Sequence, residues 1–170
     1  KSKEDAEKVI QSLEGETEGH IIKLDKREKR SSAPTLHSLL ELQKEAGKAF
    51  GMSAKQVLDT AQKLYEERKL ITYPRTDSRH IPKSMADEIT KHIAAVTELP
   101  NVGSYAKRIL EDNDRIQQVM KMKRYVDDKK VTDHHAILPT AKKGSLQGLS
   151  TNEKNLYLLI VRRFLAIFLP

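Results

Sequence analysis

Apolar and polar positions along the chain predict a mainly helical protein. Val9, Ile10 and Leu13 share one face of a short helix over residues 3–14, with Ser2 as its cap and Gly15 as its stop. "HIIKLDKREKR" (20–30) reads as a strand with a charged end, and "SSAP" as a break, so a domain boundary is expected near Ala33. That gives a helix-strand piece over 1–33 and a helical domain over 34–170. From Leu36 the period turns helical, with Leu36, Leu39, Leu40, Ala46, Ala49 and Phe50 near one face and Gly51 as terminator. Ser53 and Gln56 form a capping-box pattern for the next helix, whose stripe is Val57, Leu58, Ala61, Leu64 and Tyr65. Two helices joined by "GMS" resemble half of a winged or helix-turn-helix unit.

"LITY" (70–73) predicts a small strand, which Pro74 ends because it has no N–H to donate. Pro82 suits the first position of a helix running to about Glu98. "ELPNVGS" is a loop, and shorter helical pieces occupy 103–123. Residues 125–150 read as long and irregular, a place where function often resides. Ser150 and Glu153 make another capping box, opening a last helix to about Phe168. No internal repeat or low-complexity tract interrupts this order.

Composition narrows the classes. At 170 residues and 38% hydrophobic, the chain suits one medium domain with a small appendage. Without cysteine it has neither disulfides nor thiolate metal sites. Its most apolar stretch, 156–169, is interrupted by Arg162 and Arg163 and falls short of the ~20 apolar residues a membrane span needs. The N-terminus, "KSKEDAEKV", shows no signal-peptide pattern, and a start on Lys1 leads us to expect a piece of a longer protein. A net charge of +7 leans towards an anionic partner such as nucleic acid.

The densest chemistry is "KLITYPRTDSRHIP" (69–82). A phenol with a reference pKa of ~10 is a poor nucleophile unless nearby positive charge favours the phenolate. Arg75 lies two positions after Tyr73, on the same face of an extended segment. Its guanidinium can grip a phosphate bidentately and stabilise charge developing on its oxygens. Thr72, Thr76 and Ser78 add hydroxyls, and Asp77 is placed to orient Arg75. The plainer reading is a strand-end tyrosine with a surface arginine and a polar cap. His134 and His135 stand beside Asp133, but no second ligand pair at useful spacing supports zinc; a phosphate contact by His134 fits the basic background better. Asp112 and Asp114 lack the spacing of a calcium loop and read as solvated. "KREKR" (26–30) and "KMKR" (121–124) are solvated faces that can also contact phosphate. No Gly-rich phosphate loop supports nucleotide hydrolysis.

The stretch 69–82 resembles the active-site segment of type IA DNA topoisomerases, written Leu-Ile-Thr-Tyr, Pro or Met, Arg-Thr-Asp-Ser. "DHHAILPT" (133–140) is similar to that family's second signature. "LLELQKEAGKAFGMSAKQVLDTAQKLYE" (39–66) and "NLYLLIVRRFLAIF" (155–168) also look like it, and Pro74 with "SRHIP" resembles the topoisomerase III subclass. "SSAPTLH" departs from the usual lead-in, and neither a toprim domain with its acidic cluster nor the family's active-site lysine is present. The resemblance therefore implies a piece of such an enzyme. Residues 1–33 would come from the domain II arch and 34–170 would be domain III, a helical domain with a catabolite-activator-like helix-turn-helix. It further implies that Tyr73 attacks single-stranded DNA and becomes joined to its 5′ phosphate. Arg75 would stabilise the scissile phosphate and His134 would contact DNA, while His135 receives no role.

Mg2+ is expected only in the complete enzyme, bound by the toprim domain, with no metal held here. The implied partners are single-stranded DNA and the enzyme's other domains, not a membrane. The implied setting is the cytoplasm of a bacterium, at the nucleoid. Alone, the chain is expected to be inactive. The rival readings are a helix-turn-helix DNA-binding module without catalysis and a domain that only packs against partner proteins.

Overall fold

Residues 2–29 and 31–169 are described by a computed structural model. The chain divides into two compact units, one up to Ser31 and one from Ser32. In the first, helix α1 (Lys3–Leu13) opens on a reciprocal capping box between Ser2 and Asp5. All its side chains are exposed, including Val9, Ile10 and Leu13. The strand expected over 20–30 is not formed: residues 20–29 have no regular structure, and Arg30 lies outside the described residues. A strand needs a neighbour for its N–H and C=O groups. Ile21, Ile22 and Leu24 find none in this unit, and Ile22 is 97% exposed.

The second unit is built from α2 (Leu39–Phe50), α3 (Ala54–Glu66), α4 (Ile89–Ala94), α5 (Gly103–Glu111), α6 (Asn113–Met120) and α7 (Thr151–Ala166). Helix α2 begins at Ser38, whose hydroxyl accepts the Glu41 N–H. It ends at Gly51, whose φ of 67° is left-handed and costs a glycine little. Its buried face is Leu42 and Ala46, joined by Leu36 upstream, whereas Leu40, Ala49 and Phe50 remain exposed. Helix α3 carries the expected Ser53–Gln56 box and buries Val57, Ala61 and Leu64.

Helix α7 is the centre of the core. It opens on the Ser150–Glu153 box and buries Leu156, Tyr157, Leu159, Ile160, Val161, Phe164 and Leu165 against α2, α3 and α5. Complete burial of one such large side chain contributes about 1.5–3 kcal/mol, so this helix supplies much of the unit's cohesion. Arg163 does not interrupt the packing. It donates to the Thr35 carbonyl and pairs with Glu45, which in turn meets the buried His37 ring at 2.7 Å.

The helix expected over 82–98 is broken into a 3-10 turn (Lys83–Met85) and the short α4. Tertiary bonds fix the entry: Ile81 pairs with the backbone of Tyr125 and Asp127, and the Lys83 N–H reaches the Asp128 carboxylate at 2.8 Å. A helix resumes only from Ile89, where Ile89, Ile93 and Val96 turn to the core at helical spacing. "LITY" forms a single antiparallel bridge, Ile71 to Pro139, instead of a strand. Two further bridges, His37 to Ile137 and Ile81 to Val126, tie the same region together.

Candidate active site around Tyr73

Helix α3 delivers the chain to the site through a sharp turn. The Arg68 N–H returns to the Lys63 carbonyl, and Lys69 adopts a left-handed φ of 57°. Such a backbone costs a residue with a side chain roughly 1 kcal/mol. It is held by the Leu70 N–H to the Leu64 carbonyl at 2.9 Å and by the Thr140 hydroxyl donating to the Lys69 carbonyl at 2.7 Å.

From Leu70 to Ile81 the chain is irregular, bends at Thr72 and Pro74 on either side of Tyr73, and is clamped on both sides. The Thr72 hydroxyl donates to the Ala136 carbonyl and accepts from the Leu138 N–H, while the Thr72 N–H donates to the Leu138 carbonyl. The Thr76 hydroxyl donates to the His134 carbonyl at 3.0 Å, and the Thr76 carbonyl accepts the Leu39 N–H from the start of α2. The Ser78 hydroxyl donates to the Lys130 carbonyl at 2.8 Å. These three hydroxyls therefore act as fasteners. Thr76 and Ser78 are buried, and none of the three is displayed for a ligand. Pairing alternates with exposure, as the period of two requires: Pro74, Thr76 and Ser78 point in, while Arg75, Asp77 and Arg79 are exposed.

Tyr73 is half-buried. Its ring lies edge-on to Tyr65 at 5.5 Å between centroids and tilted against His134 at 4.3 Å. These contacts fix the ring and leave the hydroxyl with no hydrogen-bond partner among the described residues. His134 is exposed, its backbone held by Thr76 and its ring over the tyrosine. Arg75 donates from Nη2 to the Gln62 side-chain oxygen at 3.0 Å, so Gln62 orients it where Asp77 was expected to. No carboxylate pairs with Arg75 among the described residues, and its charge is available to an incoming anion. The Lys69 ammonium stands 5.8 Å from the Tyr65 ring, adding a second positive group on this side.

The two adjacent histidines diverge. His135 turns inward, and its Nδ1–H donates to the Ala136 carbonyl at 2.7 Å. That bond favours the charged ring, but burial, assisted by the like charges of His92 and His134, outweighs it and holds the pKa below the usual value, towards the neutral form. Asp112 caps α6 by accepting the Arg115 N–H, a structural duty. Lys121, Lys123 and Arg124 are exposed, as are Lys26, Arg27 and Lys29 of the other basic cluster. Among the described residues no group of three or more His, Cys, Asp or Glu could hold a metal ion, and no helix is long and apolar enough to cross a membrane.

Gln62, Tyr65 and Lys69 belong to the site although sequence alone assigned none of the three a role in it. For Gln62 and Tyr65 the available signal was their spacing, three residues apart on α3 and so on one face of its last turns.

Known proteins are similar to this chain in sequence. The curated relatives include DNA topoisomerase 3 of Bacillus cereus, 37% identical over 99% of this chain, and that of Bacillus subtilis, 40% identical over 96%. DNA topoisomerase 3 of Bacillus licheniformis is 42% identical over 95% of the chain. The chain spans 22% of the length of each of these relatives. A family model described as DNA topoisomerase matches residues 1–170, and with a match along its whole length this chain belongs to the DNA topoisomerase family.

Proposed function

We propose that this chain is the tyrosine-bearing part of a bacterial type IA DNA topoisomerase of the topoisomerase III kind. In this reading residues 1–33 belong to its domain II arch and 34–170 form domain III. The complete enzyme changes DNA topology at the nucleoid by cutting and rejoining one strand. The observation that carries the reading is the pairing of a held but unbonded Tyr73 hydroxyl with an unneutralised Arg75 on one clamped segment. The relatives, all named DNA topoisomerase 3, support it.

The Tyr73 oxygen attacks a backbone phosphorus of single-stranded DNA. A tyrosyl O–P bond forms, the bond from phosphorus to the 3′ oxygen breaks, and that oxygen leaves with a proton as a 3′-hydroxyl. The 5′ phosphate stays on Tyr73. Attack by the 3′-hydroxyl reverses the step, so the bond energy is conserved and no ATP is needed. Arg75 meets the charge that builds on the phosphoryl oxygens. His134, tilted against the tyrosine ring and exposed, donates a hydrogen bond to phosphate. The Mg2+ of such an enzyme does not fit the residues described here. We assign it to an acidic toprim domain outside this chain, which is also the chain's principal protein partner.

The test is denaturant trapping on a single-stranded oligonucleotide, run with the complete enzyme, its Tyr73→Phe variant and this chain alone. The complete enzyme should yield one phosphotyrosyl peptide containing Tyr73 and carrying the 5′ end of the DNA. The Phe variant should fold and yield none, and the isolated chain should yield none. An adduct on Tyr65, Tyr105, Tyr125 or Tyr157 would overturn the assignment. Salt-sensitive DNA binding with no adduct in any sample would favour a helix-turn-helix binding module instead.

A further inference from the structure

Two bonds connect three side chains in a line. Arg75 Nη2 donates to Gln62 Oε1 at 3.0 Å, and Gln62 Nε2 donates to Glu66 Oε1 at 3.2 Å. A guanidinium only donates and an ionised carboxylate only accepts, so the amide can stand in one orientation alone. Gln62 and Glu66 sit four residues apart on α3, on the same face. Tyr65, between them, carries the edge contact to Tyr73. One turn of helix thus touches both the tyrosine ring and the arginine fork.

We propose that Gln62 is a positioning residue for strand cleavage: it fixes Arg75 beside Tyr73, and Glu66 fixes Gln62. This rests on the reading of Arg75 given above. The choice of an amide has a chemical reason. A carboxylate at position 62 would form an ion pair with Arg75 and compete with the phosphate for its charge. A neutral oxygen holds one N–H of the guanidinium and leaves four donors and the full positive charge for the scissile phosphate. Glu66 lies one amide farther away, where it orders Gln62 without contacting Arg75. The lone arginine, exposed and long, would otherwise sample many rotamers and reach the productive one only part of the time.

The experiment is single-turnover cleavage of a single-stranded oligonucleotide by the complete enzyme, with DNA affinity measured separately. Gln62→Ala should lower the cleavage rate at saturating DNA about tenfold, the size of losing one hydrogen bond to a charged group, and leave affinity nearly unchanged. Gln62→Glu should lose more, since it captures the guanidinium. The decisive arm is the double variant: in an Arg75→Ala background, Gln62→Ala should cause no further loss, because Gln62 acts only through Arg75. Gln62→Met, which keeps the side-chain length and helix preference without the acceptor, should repeat the Ala result and guards against a folding defect. Equal losses from Gln62→Ala with and without Arg75 would overturn the proposal, as would wild-type cleavage by Gln62→Ala and Gln62→Met. Wild-type cleavage by Arg75→Ala alone would instead defeat the underlying reading of Arg75, and this inference with it.

Discussion

Arg75 spends one of its five N–H donors on Gln62 and keeps the rest exposed. A lysine at this position keeps the charge but has no planar fork, so it cannot hold Gln62 and grip two phosphoryl oxygens in a fixed plane. Arg75→Lys in the complete enzyme is therefore expected to slow cleavage by about 10²-fold, the scale of removing one oxyanion donor, with little loss of DNA affinity. Rapid-quench cleavage rates beside equilibrium binding of the same oligonucleotide check this. Equal rates for arginine and lysine would show that charge alone suffices. The hydroxyls around Arg75 teach the complementary point. Thr72, Thr76 and Ser78 look like a phosphate cradle in the sequence, yet each is committed to a backbone carbonyl of the facing segment. They hold the stage for Tyr73 without touching the reaction.

Among the elements, α7 depends on a cap that also fastens a distant turn. The Glu153 carboxylate accepts the Ser150 N–H at 2.8 Å and the Arg68 Nε–H at 3.0 Å, and Arg68 also donates to the Gly148 carbonyl. Arg68 lies in the turn that carries α3 into the Tyr73 segment. Burial opposes the charge on Glu153, but the Ser150 backbone and hydroxyl bonds and the Arg68 pair outweigh it and hold the pKa at about 2. A folded-state value below the unfolded one stabilises the protein at pH above the usual glutamate range. That contribution is lost as pH falls from there towards about 2. Its full size is on the order of 3 kcal/mol. Urea unfolding of wild type and Glu153→Gln should show a large stability gap near neutral pH that closes as the solution is acidified through pH 4 to about 2. A gap independent of pH would mean that the cap works without its charge.

For the molecule as a whole, the core around α7 encloses a side-chain hydroxyl that is left unmet. Tyr157 is fully buried, and its hydroxyl has no hydrogen-bond partner among the described residues. Burial alone pushes its pKa up. The space is tight: a Cβ on Gly144 would come within 2.8 Å of that oxygen. An unbonded hydroxyl in such a place forfeits its hydration without return, a cost of about 1–3 kcal/mol. Tyr157→Phe is therefore expected to leave the thermal midpoint unchanged or raise it, where most core changes lower it. Differential scanning calorimetry of the two proteins measures this, and a clear fall in Tm would reveal a bond that the hydroxyl makes.

What the sequence determined by itself was local. The capping boxes at Ser53–Gln56 and Ser150–Glu153 and the glycine stop at Gly51 lie where they were read, because their partners sit within three or four residues. The mainly helical class followed from the same short-range period. The run 69–82 stood out for the same reason, since its residue types are crowded together in the chain. Tertiary structure decided whatever depended on a distant neighbour. A strand needs a pairing edge, and among the described residues none meets 20–29, while the helix after Pro82 yields to bonds with Tyr125, Asp127 and Asp128. The fate of the hydroxyls was set by carbonyls 52 to 64 residues away. Gln62 found Arg75 across 13 residues, because the chain turns sharply at Lys69 and runs back past α3. Periodicity carries the geometry of one element, but the meeting of two elements is fixed by burial and backbone pairing, which no short window of sequence contains.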